Sequence, residues 1–241
     1  SGERVWPDAD GLYQLVEDMQ YRYTATCFGY VGRETVFLAG SGNSTLNIQL
    51  TKAPERTDDG GVTSSWPYYR GSADANGVVT AKTPQDAEHA MLSWASQLGS
   101  GYSSSAVSCP ILITEDGYDY LVVYARNKLY KVDALSGVTV AEGTMDRASS
   151  FAINSPTYAE GMLFVGLANG GVQAFDAKTL EPLWLYNDAR GGQPNCPITY
   201  ADGYIYTGFW NSETATANYV CLSVTDEDPT QSGETKLPHW T

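Results

Sequence analysis

Asp8-Ala9-Asp10-Gly11 has the spacing with which a calcium-binding loop begins. Such a loop needs a bidentate glutamate at its twelfth position. Counted from Asp8, Glu17 falls at position ten and Met19 at twelve, so the segment reads as a turn. Asp226-Glu227-Asp228 could also hold an ion, but the stretch reads better as a solvated insertion loop. The two histidines, His89 and His239, stand outside any motif, the first in an expected surface helix and the second in a terminal strand. Cys27, Cys109, Cys196 and Cys221 form no CxxC pair, so neither zinc nor an iron–sulfur cluster is signalled. All four are expected to be small buried residues. No GxSxG, HExxH or P-loop occurs. No catalytic, cofactor-binding or metal-ligating residue is therefore assigned.

Charge narrows the partners. Fourteen Lys and Arg stand against 28 Asp and Glu, which gives 14 − 28 = −14. A phosphate footprint needs clustered basic residues, so nucleic acid is excluded as a partner, and anionic membrane surfaces are disfavoured. No apolar run is long enough for a membrane-spanning helix, and no membrane insertion is expected. No signal peptide is present, although Ser1 is not a natural start and leaves room for a removed leader. With 17 tyrosines, 24 glycines and 17% charged residues, the composition suits an all-β chain rich in turns.

A repeat organises most of the chain. Ser108-Cys109-Pro110, Asn154-Ser155-Pro156 and Asn195-Cys196-Pro197 recur with proline spacings of 46 and 41. A turn glycine follows each, at Gly117, Gly161 and Gly203, with spacings of 44 and 42. A period in the low forties made of short strands is the mark of a β-propeller blade. Blade one is placed near 106–114, 118–125, 128–133 and 138–142. Blade two is placed near 151–158, 162–168, 171–176 and 182–186. Blade three is placed near 196–200, 203–209, 218–224 and 237–241, with an insertion at 210–217. Cys109 and Cys196 share a repeat position two blades apart, too far for a disulfide.

Residues 1–53 differ from this pattern. Strands are expected at 11–16, 21–27, 33–39 and 45–50, forming a small sandwich-like module. Asp10-Gly11-Leu12-Tyr13-x-Leu15, Tyr21-x-Tyr23-x-Ala25 and Gly29-Tyr30 make it resemble the Ig-like or prealbumin-like modules of bacterial surface proteins, N-terminally clipped. Residues 54–65 hold few large apolar groups and read as a linker. A helix is expected over Pro84–His89 with Thr83 as its N-cap.

From Trp66 onward the chain resembles the PQQ-like, quinoprotein alcohol dehydrogenase-like propellers. The entry is Trp66-Pro67-Tyr68-Tyr69-Arg70-Gly71. Leu92-Ser93-Trp94-Ala95 resembles an outermost strand carrying the family's tryptophan. Blade two holds the fullest phrase, Gly161-Met162-Leu163-Phe164-Val165-Gly166 followed by Ala174-Phe175-Asp176-Ala177-Lys178-Thr179-Leu180-Glu181-Pro182-Leu183-Trp184. There Leu180 replaces the family glycine after Thr179. Blade one keeps its glycine, Gly137, and lacks the tryptophan. The resemblance implies that the tryptophan packs across to the neighbouring blade.

The resemblance also implies a ring of about six to eight blades, of which this chain supplies three. Three readings follow. The favoured one is a piece of a longer propeller; the others are two copies closing one ring and a native open arc. Quinoprotein dehydrogenases hold PQQ and Ca²⁺ at the propeller axis and typically carry adjacent cysteines, which this sequence lacks. Fold alone does not confer function. The expected fold class is all-β, a partial β-propeller behind a small β-sandwich-like module. The expected role is a non-catalytic binding or scaffolding module of a secreted or cell-surface bacterial protein, with no cofactor. Its expected partner is a protein, a glycan or further propeller blades. The alternatives are a fragment of a PQQ/Ca²⁺ dehydrogenase and an assembly-factor propeller. Candidate ligand-face residues are Ser104, Asn154 and Asn195 near the inner strands, and Trp210 and Asn211 at the start of the insertion.

Overall fold

The computed structural model describes residues 4–53, 61–79, 86, 90, 92–101, 105–149, 154–212 and 215–241. The expected helix over Pro84–His89 and its cap lie outside the described residues, save Asp86. Among the described residues every regular element is a strand, and no helix is long and apolar enough to cross a membrane. The chain divides into two compact units.

The first unit comprises Ser1–Ala53, Thr83–Ala95 and Leu135–Gly137. Strand β1 (Gln20–Ala25) pairs antiparallel with β3 (Arg33–Leu38), and β2 (Tyr30–Val31) pairs with β4 (Thr51–Lys52). Alternation in β1 puts Tyr21 and Tyr23 on one face, where both rings meet Phe37 at 6.1 and 6.0 Å. The expected strands at 11–16 and 45–50 do not form. Leu12, Tyr13 and Val16 stay exposed, and the pattern there has no partner strand to pair with. Asp8 closes a turn instead, its Oδ1 accepting the Asp10 and Leu12 amides at 3.0 and 2.9 Å. Leu92–Ala95 is likewise not a strand. Its tryptophan still finds a glycine: a Cβ on Gly137 would lie 2.5 Å from the Trp94 ring.

The second unit comprises Pro54–Lys82, Ser96–Ala134 and Val138–Thr241. It contains three antiparallel sheets in chain order. Blade one is β5 (Val62–Trp66), β6 (Ile111–Glu115), β7 (Tyr118–Ala125), β8 (Lys128–Asp133) and β9 (Thr139–Thr144). Blade two is β10 (Thr157–Ala159), β11 (Met162–Leu167), β12 (Gly171–Asp176) and β13 (Pro182–Asn187), with β17 (Glu234–Thr235) added parallel to β13. Blade three is β14 (Thr199–Ala201), β15 (Tyr204–Gly208) and β16 (Tyr219–Ser223). The fold class is all-β, a partial β-propeller.

The glycine repeat has a direct cause. Asp116-Gly117, Glu160-Gly161 and Asp202-Gly203 all take positive φ at both residues (49° and 74°, 50° and 79°, 50° and 81°). That is the two-residue hairpin turn whose twist matches the strands it joins, and it demands glycine at its second position. Asp176 organises the turn after β12: its Oδ1 accepts the amides of Lys178 and Thr179 at 2.9 and 2.7 Å. Leu180 stands where the repeat expects glycine. It keeps the left-handed backbone, φ 61°, and its side chain is buried between blades one and two.

Two apolar cores fill the spaces between blades. Tyr120, Val122, Tyr124 and Leu129 pack with Leu163, Val165, Leu167 and Phe175. Phe164, Val172, Ala174 and Trp184 pack with Ile205, Val220 and Leu222. The Trp184 indole N–H donates to Val224 O of the next blade at 3.4 Å.

Three expectations are corrected. The stretch read as a linker, 54–65, ends in ordered sheet: Val62–Ser65 belong to β5, which pairs with β6. Val62, Ser64 and Trp66 alternate as the half-buried face of an edge strand, but its partner lies far along the chain. The fourth strand of blade three, 237–241, is reduced to one bridge between Cys221 and Trp240. Pro238 has no amide to give, and the Lys236 amide, which donates to Leu185 O at 2.8 Å, holds the preceding segment on blade two. Finally, only Cys221 is buried; Cys27, Cys109 and Cys196 are exposed, and all four are free. Cys109 and Cys196 sit before the inner strands, outside the inter-blade cores.

Candidate functional site

The repeated signatures lead into the inner strands and are tied to one another across blades. Tyr124 Oη donates to the Asn154 carbonyl at 2.9 Å. Asn154 Nδ2 in turn donates to Pro194 O. Thr157 Oγ1 donates to Ile198 O at 2.9 Å. Burial pushes the Tyr124 hydroxyl up to about 12, against the lowering effect of its hydrogen bonds to Ser149 and Asn154.

Asn195 is half-buried and follows a tight turn, its amide donating to Gln193 O at 2.9 Å. Gln193 pairs with Trp210 through two backbone bonds, 2.7 and 2.9 Å. Trp210 is exposed. Asn211 Nδ2 donates to Arg190 O at 2.9 Å and to Thr216 O at 3.4 Å. The insertion is therefore bound at both ends to residues 190–193. Of the expected ligand-face residues, Asn154, Asn195, Trp210 and Asn211 are joined by this backbone network, and Ser104 lies outside the described residues. Both asparagines that show side-chain bonds spend their amide donors on main-chain carbonyls, which is a positioning use.

Sequence reasoning missed a carboxylate at the base of the insertion. Asp188 is buried and accepts Tyr186 Oη at 2.8 Å, the Arg190 amide at 2.8 Å and Asn218 Nδ2 at 2.8 and 3.1 Å. Burial, then the bond and charge of Asp188, raise the Tyr186 hydroxyl above its ordinary range. Two buried lysines were also missed. Lys131 is ion-paired to Glu115 and donates to Lys178 O of blade two at 3.1 Å. Its ammonium lies 4.8 Å from the Tyr120 ring centre. Burial and the Glu115 charge push Tyr120 up to about 12. Lys236 binds the Glu227 carboxylate, with both oxygens at 2.6 Å, and lies 5.1 Å from the Trp184 ring. Burial works to raise Glu227, but the bond and charge of Lys236 outweigh it and hold the carboxyl below its usual value. No sequence motif marks these pairs: Glu115 on β6 and Lys131 on β8 flank β7, and Lys236 follows β17 while Glu227 lies in the segment after β16. Asp228 closes a turn, its Oδ1 accepting the Thr230 amide at 3.1 Å.

Two open depressions lie among the described residues of the second unit. One of about 580 Å³ is lined by Ser65, Trp66, Val79, Pro110, Leu112 and Leu121. The other, of about 400 Å³, includes Asn127, Asp146, Gln173 and Ser232; Gln173 Oε1 there accepts the Asp146 amide at 2.8 Å. An aromatic face occupies blade three. Trp240 meets Tyr206 at 6.1 Å and stacks on Tyr219 at 6.3 Å, while His239 meets Tyr204 at 5.1 Å.

Comparison with known proteins adds little to this geometry. No family model matches the chain, and no curated protein matches it. A solved structure titled "Europium-containing methanol dehydrogenase" is similar over 53% of this chain, at 16% identity and a TM-score of 0.41. The chain spans about a quarter of that protein's length.

Proposed function

We propose that the chain is a non-catalytic binding or scaffolding module of a secreted or cell-surface bacterial protein. In this reading PQQ-like propeller blades follow an Ig-like or prealbumin-like module. One observation carries it: blade three exposes a contiguous aromatic face while buried Lys131, Asp188 and Lys236 are engaged in bonds that hold blades together. Glu115, Lys131, Asp188 and Lys236 each serve a neighbouring strand or turn. Aromatic rings held open to solvent on a rigid sheet suit a protein or glycan partner, or further blades.

The test is direct. The purified chain is given PQQ and Ca²⁺, and both cofactor retention after gel filtration and turnover of short alcohols with an artificial electron acceptor are measured. The expected result is neither retention nor turnover. Alcohol oxidation above the cofactor-only control overturns the reading in favour of a quinoprotein dehydrogenase segment.

A further inference from the structure

The connection between the two middle strands is short in blades one and two and long in blade three. Arg126–Asn127 joins β7 to β8, and Ala168–Gly170 joins β11 to β12. From β15 to β16 the chain runs instead through Phe209–Asn218. Ordering a longer loop costs conformational entropy, and here its base is held by fixed bonds. Asn218 Nδ2 donates to both oxygens of Asp188, which lies just past β13. Gln193 and Trp210 exchange two backbone bonds. A Cβ on Gly192 would lie 2.9 Å from Phe209 Cβ, so the two segments are in close contact.

An arginine on this segment has a counterpart one blade earlier. Arg147 stands three residues past Thr144, the end of β9, and Arg190 three past Asn187, the end of β13. Arg147 is fully engaged. Its Nε donates to Ala168 O at 2.6 Å, Nη1 to the Asp146 carboxylate and Nη2 to Asn187 Oδ1. Arg190 is exposed, and among the described residues its guanidinium makes one bond, from Nη1 to Thr216 Oγ1 at 2.8 Å. The nearest carboxylate in sequence is already committed: buried Asp188 accepts Tyr186 Oη, the Arg190 amide and Asn218 Nδ2. In a chain of net charge −14, Arg190 therefore has no ion-pair partner among the described residues. On the facing segment Trp210 is 47% exposed, and neither its indole N–H nor its ring has a side-chain partner among the described residues. Asn211 Nδ2, donating to Arg190 O, ties the two residues together.

We propose that Arg190 and Trp210 bind a glycan through one carboxylate-bearing sugar, a uronate or a sialate. The Trp210 ring is the platform for the apolar C–H face of the sugar. The open fork of Arg190 takes the carboxylate with two parallel N–H donors. The Thr216 hydroxyl and the Gln193 side-chain amide, on the same two segments, serve the sugar hydroxyls. A peptide anchor needs an apolar pocket, and the apolar depression at Trp66 and Leu121 is lined by none of these residues. A sugar needs a flat ring and hydrogen bonds. The net charge repels a polyanion, so the carboxylate sits on an otherwise neutral chain. The proposal rests on the reading of the chain as a binding module, and it gives that module a ligand through residues other than the Tyr206, Tyr219 and Trp240 rings.

The test titrates sialyllactose and aldotetraouronic acid into the full chain by calorimetry, with lactose and xylotetraose as their neutral counterparts. The expected result is that one acidic sugar binds about tenfold more tightly than its counterpart; which one it is separates a sialate from a uronate. Arg190→Gln, which keeps an amide donor for Thr216, removes that preference and leaves neutral binding in place. Trp210→Ala weakens acidic and neutral binding alike. Both side chains are exposed, so both variants keep the parent melting temperature. Equal affinity for acidic and neutral sugars overturns the proposal, as does an absence of heat from all four at about 10 mM. An acidic-sugar affinity that survives both substitutions overturns it too. Tighter binding of a polyglutamate peptide overturns it in favour of an acidic protein partner. Alcohol turnover with PQQ and Ca²⁺ defeats the binding-module reading, whereas silence of the four sugars without turnover defeats the ligand assignment alone.

Discussion

Replacing Lys131 with methionine isolates the charge at the centre of the first inter-blade contact. The methionine keeps most of the stem volume and removes the ammonium, leaving the Glu115 carboxylate buried. Breaking a buried pair from one side costs about 3–5 kcal/mol. Lys178 Nζ remains 3.6 Å from Glu115 Oε1 and tempers the loss, although that lysine is largely exposed. The bond to Lys178 O and the contact with the Tyr120 ring are lost as well. The expected destabilisation is about 3 kcal/mol, read as a lowered urea midpoint at unchanged m-value. Lys131→Met combined with Glu115→Gln removes both charges and should lie within about 1 kcal/mol of the parent protein, because a buried pair replaced as a unit costs little. A single variant within about 1 kcal/mol of the parent, or a double variant as unstable as the sum of its singles, would refute the assignment of Glu115 and Lys131 as one coupled unit.

Three further outcomes are expected. Tyr124 and Tyr120 are both pushed up to about 12 in the folded chain; against about 10 unfolded, their stabilisation is complete below pH 10 and is lost as pH rises from 10 through 12. Two units on the buried Tyr124 alone amount to about 2.7 kcal/mol, so unfolding temperature should fall steeply across that window, together with a late rise in tyrosinate absorbance. Ellman's reagent should titrate three thiols quickly in the native chain and Cys221 only after denaturation, since three of the four cysteines are exposed. Gly137→Ala places a Cβ 2.5 Å from the Trp94 ring at φ +73° and should cost about 3 kcal/mol. Gly203→Ala, at φ +81° with nothing within 4 Å, should cost about 1 kcal/mol; thermal melts of the two variants test the difference.

The propeller blades were legible where the signal is local. Gly117, Gly161 and Gly203 announce hairpins because no other residue takes the second turn position at so little cost, and β7, β8 and β12 begin and end where the repeat places them. Legibility failed where a partner is distant in sequence. Val62–Ser65 looked like linker because the strand that pairs with it starts at Ile111. Residues 11–16 looked like a strand because alternation records a face without recording a partner. The Asp-turn phrase was readable from Asp176, but nothing local foretold that Leu180 would hold a left-handed backbone to fill the core between blades. Asn154 and Asn211 were picked out by position, yet their bonds to Pro194 O and Arg190 O depend on loops some 40 and 21 residues away. Glu115 and Lys131 carry no motif, because their strands, β6 and β8, come together only on either side of β7.

The two formed interfaces solve one problem with different side chains. A flat apolar face between blades fixes distance but not lateral position, since burial is proportional to area and has no direction. A hydrogen bond to a single carbonyl supplies that direction. In blade one the donor is Lys131, whose charge is then offset by Glu115 on its own blade. In blade two the donor is Trp184, and Lys236, paired to Glu227, lies over its ring. Blade one has no tryptophan at the place of Trp184 and uses instead a lysine on the neighbouring strand, which must bring its own counter-charge to be buried. The tryptophan needs none for its own N–H. The position that matters is the donor at the forward face, and a sequence search for further blades should accept either residue there.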